Sequence, residues 1–239
     1  MAHKALVTGG AVRLGRAIAL GLGRAGCDVA VHHFRSAAAA EEVAAEIAAF
    51  GQRAVVLPAD LSDAAACARL LAEARSQLGG LDVLVNNAAI FLPGDLATTS
   101  VEDWERQLAL NLRAPFLLAQ AFAATLGPEE RGKIVNVTDA RAQRPGRGHL
   151  AYRLSKHGLD HLTALLALEL APRITVNAVA PGAMLAAGGD DEALARRVAT
   201  VVPLRRAGGA DAVGEAVLYL LREDFATGVV LPVDGGEYL

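Results

Sequence analysis

The chain has 239 residues, 53 % of them hydrophobic and 21 % charged, with a formal net charge of −3, a balance that excludes a disordered chain. Lys and Arg are scattered rather than gathered into a stripe, which excludes a nucleic-acid groove built on positive charge. No uncharged apolar run reaches the roughly 18 residues of a membrane span, and the first strand begins at Lys4 with no signal peptide before it, so a cytoplasmic protein is expected.

Taken in order, short β-rich runs alternate with longer segments of helical period. A strand over Ala5–Thr8 leads to a helix over Leu14–Ala25. Strands over Val29–Phe34, Ala54–Leu57 and Val83–Asn86 then alternate with helices over Ala37–Phe50, Asp63–Leu78 and Val101–Leu126. The pattern continues through strand Ile134–Thr138, helix Ala151–Ala171, strand Thr175–Val179, helix Asp211–Leu221 and strand Val229–Val233. No Pro/Gly/Ser-rich or charged linker divides the series, so residues 1–239 are expected to form one domain. Runs such as ALVT, VLVN and KIVNV are continuously apolar, as strands covered by helices on both faces must be. Right-handed crossovers then predict an α/β, doubly wound, parallel seven-stranded sheet of Rossmann type. Cys27 and Cys67 match no CxxC or zinc spacing, and neither disulfide nor metal is implied. His157 and His161 stand four apart, but the Glu of HExxH and a third ligand are missing.

Ligands of such a fold sit at the carboxyl ends of the strands. After the first strand comes Thr8-Gly9-Gly10-Ala11-Val12-Arg13-Leu14-Gly15 and then a helix, so backbone N–H groups and the positive helix end face any bound anion, a pyrophosphate by preference. About 20 residues later, an NAD-selective protein places an acid for the ribose 2′-hydroxyl. This chain has His33-Phe34-Arg35-Ser36 there and no acidic residue between Asp28 and Glu41. A guanidinium and a hydroxyl suit a 2′-phosphate, which points to NADPH.

Tyr152 and Lys156 stand four apart in a predicted helix, on one face, where a cation close by would favour the phenolate and lower the Tyr pKa. TGGAVRLG, Asp60 after the third strand, NNAA at Asn86–Ala89, Asn111, YRLSK and Pro181-Gly182 occur in order. Over essentially its whole length the sequence thereby resembles the short-chain dehydrogenase/reductase family. The resemblance implies that Gly9, Arg13, Leu14 and Gly15, with Asn87 and Ala88, contact the cofactor, and that Asp60 and Leu61 border its adenine. It also implies that Lys156 binds the nicotinamide ribose, that Asn111 holds a water near Lys156, and that Pro181 and Gly182 line the nicotinamide. Read from its surroundings in LALNLRAPF alone, Asn111 could equally be a satisfied core amide.

Two positions depart from the common family pattern: Arg13 replaces a glycine, and Asp139 stands thirteen residues before Tyr152 where a Ser is usual. Both resemble the pteridine reductase branch, which includes dihydromonapterin reductases, and Phe91 after NNAA fits an aromatic that sandwiches a pterin there. A ketone needs donors to its oxygen, whereas a pterin presents ring nitrogens and amino groups that a carboxyl group can pair with. Asp139, Tyr152, Lys156 and Asn111 are therefore the expected catalytic group, with Arg13, Phe91, Asp139 and Tyr152 against the substrate. The expected activity is NADPH-dependent reduction of a dihydropterin or dihydrofolate. The alternatives are reduction of a 3-oxoacyl or other carbonyl substrate and, as a different class, non-catalytic NADP(H) binding. By the same resemblance the chain is expected to form a homotetramer through its long helices and the C-terminal VDGGEYL.

Overall fold

The computed structural model describes residues 3–239. Its seven strands are β1 (Lys4–Val7), β2 (Asp28–His33), β3 (Ala54–Pro58), β4 (Val83–Asn86), β5 (Gly132–Val137), β6 (Ile174–Pro181) and β7 (Val230–Val233). All pair in parallel in the order β3-β2-β1-β4-β5-β6-β7, so every predicted strand is present, shifted by a residue or two at some ends. The helices are α1 (Arg13–Arg24), α2 (Ala37–Ala49), α3 (Ala64–Leu78), α4 (Val101–Leu108), α5 (Ala114–Thr125), α6 (Leu150–Leu170), α7 (Asp191–Val201) and α8 (Ala210–Arg222).

Strand alternation sends neighbouring side chains to opposite faces. Ala5 and Val7 join Ile18, Leu22, Ile47, Val213 and Val217 on one side, while Leu6 joins Leu71, Leu118 and Phe122 on the other. Both faces are thus dry, which is why the strand runs read as continuously apolar. The strand order reverses between β1 and β4. Loops leaving these strands diverge there and open a crevice at the carboxyl ends.

Two segments differ from the sequence expectation. The predicted helix Val101–Leu126 is interrupted by a π-helical turn, Ala109–Arg113, between α4 and α5. Pro115 lies just inside α5 and has no N–H to donate to the carbonyl of Asn111, so regular i→i−4 bonding fails at that point. The segment Val101–Thr125 is also long and apolar enough, by length and composition, to cross a membrane, although charged residues interrupt it. In the fold its Ala114, Leu118 and Phe122 are buried in the core. The second difference is α7, which was not predicted. Asp190 caps it by accepting the Ala193 N–H at 2.8 Å, and Asp191 and Glu192 favour its positive end.

Candidate active site

The loops after β1, β2, β3 and β4 are tied together by buried polar groups. Thr8 Oγ1 donates to Val85 O at 3.2 Å and accepts the N–H groups of Asn87 and Ala88 at 2.9 and 3.0 Å. Asn87 Nδ2 donates to the carbonyls of Thr8 and Gly9. The Gly9 N–H donates to His32 Nδ1 at 3.0 Å, which leaves the ring proton on Nε2, donated to Ala59 O at 3.1 Å. Burial holds His32 neutral by lowering its pKa to about 4.

Gly15 is required by packing: a Cβ there would lie 2.0 Å from Gly9 O. No side chain caps α1, so its first-turn amides remain open to an anion. Arg13 adopts a left-handed φ of 54° and sends its guanidinium to Ala186 O at 2.9 Å, bridging the loops after β1 and β6.

A crevice of about 560 Å³ follows these loops. Of the residues predicted to contact a cofactor, Gly9, Arg13, Leu14, Gly15, Phe34, Arg35, Asp60, Leu61, Asn87 and Ala88 line it. His33 does not: it is buried with Nδ1 unpartnered, and His32 lines the crevice in its place. The cause is strand parity, which turns 29, 31 and 33 to one face of β2 and 30 and 32 to the other. Ser36 also lies outside the lining, at the N-cap of α2, where its hydroxyl makes no capping bond. Arg35 lies 4.7 Å over the Phe34 ring, and Asp60 is engaged by Ser62 Oγ at 2.7 Å. Arg106, not singled out in the sequence, completes the wall from α4. The glycine loop, the open helix end and the elongated crevice fit a dinucleotide.

A second crevice, about 350 Å³, shares Arg13 and Leu14 with the first and gathers Phe91, Asp139, Tyr152, Pro181 and Gly182. It also contains Arg141 and Arg197, which sequence reasoning missed. Arg197 rises from α7 and is paired with Glu237, Nε to Oε1 at 2.6 Å. The Tyr152 hydroxyl donates to Asp139 Oδ2 at 2.9 Å. Burial, then the charge and hydrogen bond of Asp139, push the Tyr152 pKa well above its ordinary value, while Arg141 and Arg197 oppose the rise. This reverses the lowering expected from Lys156. The Lys156 ammonium donates to Val137 O at 2.7 Å, and burial lowers its pKa to about 8.

Asn111 sits in the π turn with its amide fully used. It accepts the Ile90 N–H at 2.9 Å and donates to Ile90 O at 2.9 Å and Ser155 Oγ at 3.1 Å. Its side chain is therefore the satisfied core amide. Phe91 is stacked on His149 at 4.0 Å and 17°, meets Tyr152 edge-on at 4.6 Å, and remains 37 % exposed. His149 itself has a left-handed φ of 51° and bonds through Nδ1 to Leu92 O at 2.9 Å, fixing the Phe91 loop to the start of α6. His157 and His161 are exposed, and among the described residues no group of three or more His, Cys, Asp or Glu could hold a metal.

The family model for enoyl-(acyl carrier protein) reductase matches residues 10–237. The 3-oxoacyl-[acyl-carrier-protein] reductase of Synechocystis is 34 % identical over 239 residues, covering 98 % of this chain and 96 % of that protein. Among solved structures, FolM alternative dihydrofolate reductase 1 from Brucella canis, complexed with NADP, superposes with a TM-score of 0.91 at 35 % identity, over 98 % of this chain and 93 % of that one. A blue fluorescent protein from a metagenomic library, in complex with NADPH, gives a TM-score of 0.91 at 36 % identity, over 98 % and 97 %.

Proposed function

We propose, from the premise that this chain belongs to the short-chain dehydrogenase/reductase family, that it is an NADPH-dependent reductase of pteridines, converting a dihydropterin or dihydrofolate to the tetrahydro form. The observation that carries the pteridine reading is the Asp139–Tyr152 hydrogen bond in a crevice walled by the Phe91 ring. A carboxyl group there can pair with ring N–H and amino groups, and the exposed part of Phe91 can cover a flat heterocycle. Two solved neighbours that hold NADP or NADPH support the choice of cofactor.

In this reading the amides of Gly9–Gly15 and the end of α1 hold the pyrophosphate, and Arg35 and Ser36 at the start of α2 hold the 2′-phosphate. Asp60 and Leu61 border the adenine, and Asn87, Ala88, Pro181 and Gly182 line the nicotinamide side. Lys156 binds the ribose, and any water near it is held by the backbone of Asn111, whose amide is already occupied. NADPH supplies the hydride when bound. Tyr152, kept protonated in the free protein, gives its proton to the reduced ring while the Asp139 carboxylate orients that ring, and solvent water then restores the proton to Tyr152.

The ketoreductase reading has its own support in the Synechocystis relative and in Tyr152 and Lys156, which suffice to protonate a carbonyl oxygen. NADPH oxidation, measured side by side with dihydrobiopterin, dihydrofolate and an acetoacetyl thioester, separates the two. Turnover of the thioester alone would retire the pteridine reading. For assembly, Phe116, Leu154, Leu165 and Leu168 are exposed on α5 and α6, which supports burial of these helices in a homotetramer.

A further inference from the structure

Asp139 puts an anion where the common family pattern has a neutral hydroxyl, directly against the Tyr152 oxygen. Left alone, that charge would hold the phenolic proton too firmly for donation. Two residues along the same turn, Arg141 approaches both carboxylate oxygens: its N–H donates to Oδ1 at 2.8 Å, with Nε 3.4 Å from Oδ1 and Nη2 3.4 Å from Oδ2. The guanidinium lies over the Phe91 ring, 5.5 Å from Cζ to its centroid, and Arg153 anchors the backbone of this turn by donating from Nη1 to Arg141 O at 2.7 Å.

We propose that Arg141 is a positioning residue for proton delivery: its guanidinium neutralises Asp139, so that Tyr152 donates from a site whose local charge matches one with a hydroxyl at position 139. This rests on the oxidoreductase reading with Tyr152 as donor, and not on the pteridine.

The other groups facing this site have their hydrogen-bond partners elsewhere, and the charges of Lys156 and of Asp160, one turn further along α6, act on Asp139 only through space. Lys156 on α6 bonds Val137 O, Arg13 after β1 bonds Ala186 O, and Arg197 on α7 is held by Glu237 from the C-terminal segment. Asp190 caps α7, and His149 before α6 bonds Leu92 O. Among the described residues, Arg141 is the one cation hydrogen-bonded to Asp139. Burial works against its charge, but the charge and hydrogen bonds of the Asp139 carboxylate outweigh burial and keep the guanidinium charged.

The test has two readouts. The first is the pH profile of kcat/KM, whose acid limb should move in Arg141→Gln and stay at the native position in Arg141→Lys. An unmoved limb in Arg141→Gln overturns the proposal. The second is a double-mutant cycle with the substrate that the native protein reduces fastest among dihydrobiopterin, dihydrofolate and acetoacetyl thioester. Arg141→Gln should lower kcat/KM at least tenfold in the native background and less than twofold in Asp139→Ser. Equal losses in both backgrounds would mean that Arg141 only braces the loop. If only the thioester is reduced, the pteridine reading falls while the cycle still decides the role of Arg141. Should Arg141→Gln not fold, Arg141→Lys in both backgrounds carries the cycle, with an acid limb at the native position expected and a displaced one overturning the proposal.

Discussion

Asp160 is placed to destabilise the fold at neutral pH, and Asp160→Asn should reveal it. The residue stands one helical turn after Lys156 on α6, and neither carboxylate oxygen has a hydrogen-bond partner although both are buried. Burial raises its pKa to about 6 and the Asp139 charge adds to the rise, with the nearby Thr138 hydroxyl and the charges of His157 and Lys156 only partly offsetting it. A carboxyl group that binds its proton more tightly folded than unfolded makes the fold less stable as pH rises. The cost is absent below the unfolded value of 3.8 and complete above about 6. A shift of about two units corresponds to roughly 3 kcal/mol, which partial exposure reduces to about 1–2 kcal/mol. Replacing the charge by an amide should therefore raise Tm by about 3–6 °C at pH 7.5, and the gain should shrink steadily from pH 6 to pH 4. Any packing change brought by the amide is the same at every pH, so the pH dependence isolates the charge. Thermal unfolding of native and variant protein at pH 4.5, 6 and 7.5 is the assay. A gain independent of pH, or a loss at pH 7.5, would refute the reasoning and show that the carboxylate is favourably paired.

Gly15→Ala forces a Cβ into Gly9 O and Asn87 Nδ2 and should cost about 1–3 kcal/mol, read as a lower Tm together with weaker NADPH binding; native values of both would show that the loop yields freely. Lys156, held near 8 by burial, loses its proton as pH rises through that value, so kcat/KM should fall above about pH 8, and a plateau extending to pH 10 would contradict it. Phe91→Leu should raise KM for a pterin about fivefold while leaving KM for NADPH unchanged, since an aromatic stack contributes on the order of 1 kcal/mol beyond area; equal changes in both constants would remove Phe91 from the substrate wall. With Arg35 and Ser36 before α2 and no acid in the segment between Asp28 and Glu41, NADPH should be preferred to NADH by at least about tenfold, roughly 1.4 kcal/mol, and equal kcat/KM values would overturn that assignment.

The sheet was legible because its strands are buried on both faces and its turns carry their own chemistry, as at Gly9 and Gly15. The break in the Val101–Leu126 helix was also readable, since Pro115 withholds a donor from the turn containing Asn111, yet the apolar period runs on unbroken and hides it. The start of α7 was signalled by Asp190, Asp191 and Glu192, but AMLAAGGDD before it reads as a loop. At the end of β2, parity alone separates His32 from His33: residues 29, 31 and 33 share one face. A contiguous reading of the segment loses that distinction.

The site itself shows what spacing can and cannot specify. An i,i+4 interval puts Tyr152 and Lys156 on one helix face, but it does not determine where a flexible ammonium ends, and Lys156 ends on Val137 O. The partner that dominates Tyr152 comes from the end of β5, thirteen residues earlier, and the cation beside that partner comes from the turn after it. Contacts between separate elements of this kind have no period to read. Their consequence is chemical: Tyr152 is held neutral, with a proton to give but bound more firmly than on a free phenol, and Arg141 and Arg197 limit that rise. Hydride transfer to a substrate requires a proton donor, whereas oxidation of an alcohol requires a phenolate to remove a proton. In the proposed reductase this donor serves a ring nitrogen and a carbonyl oxygen alike, so in that proposal the discrimination between the two substrates falls to Asp139 and Phe91.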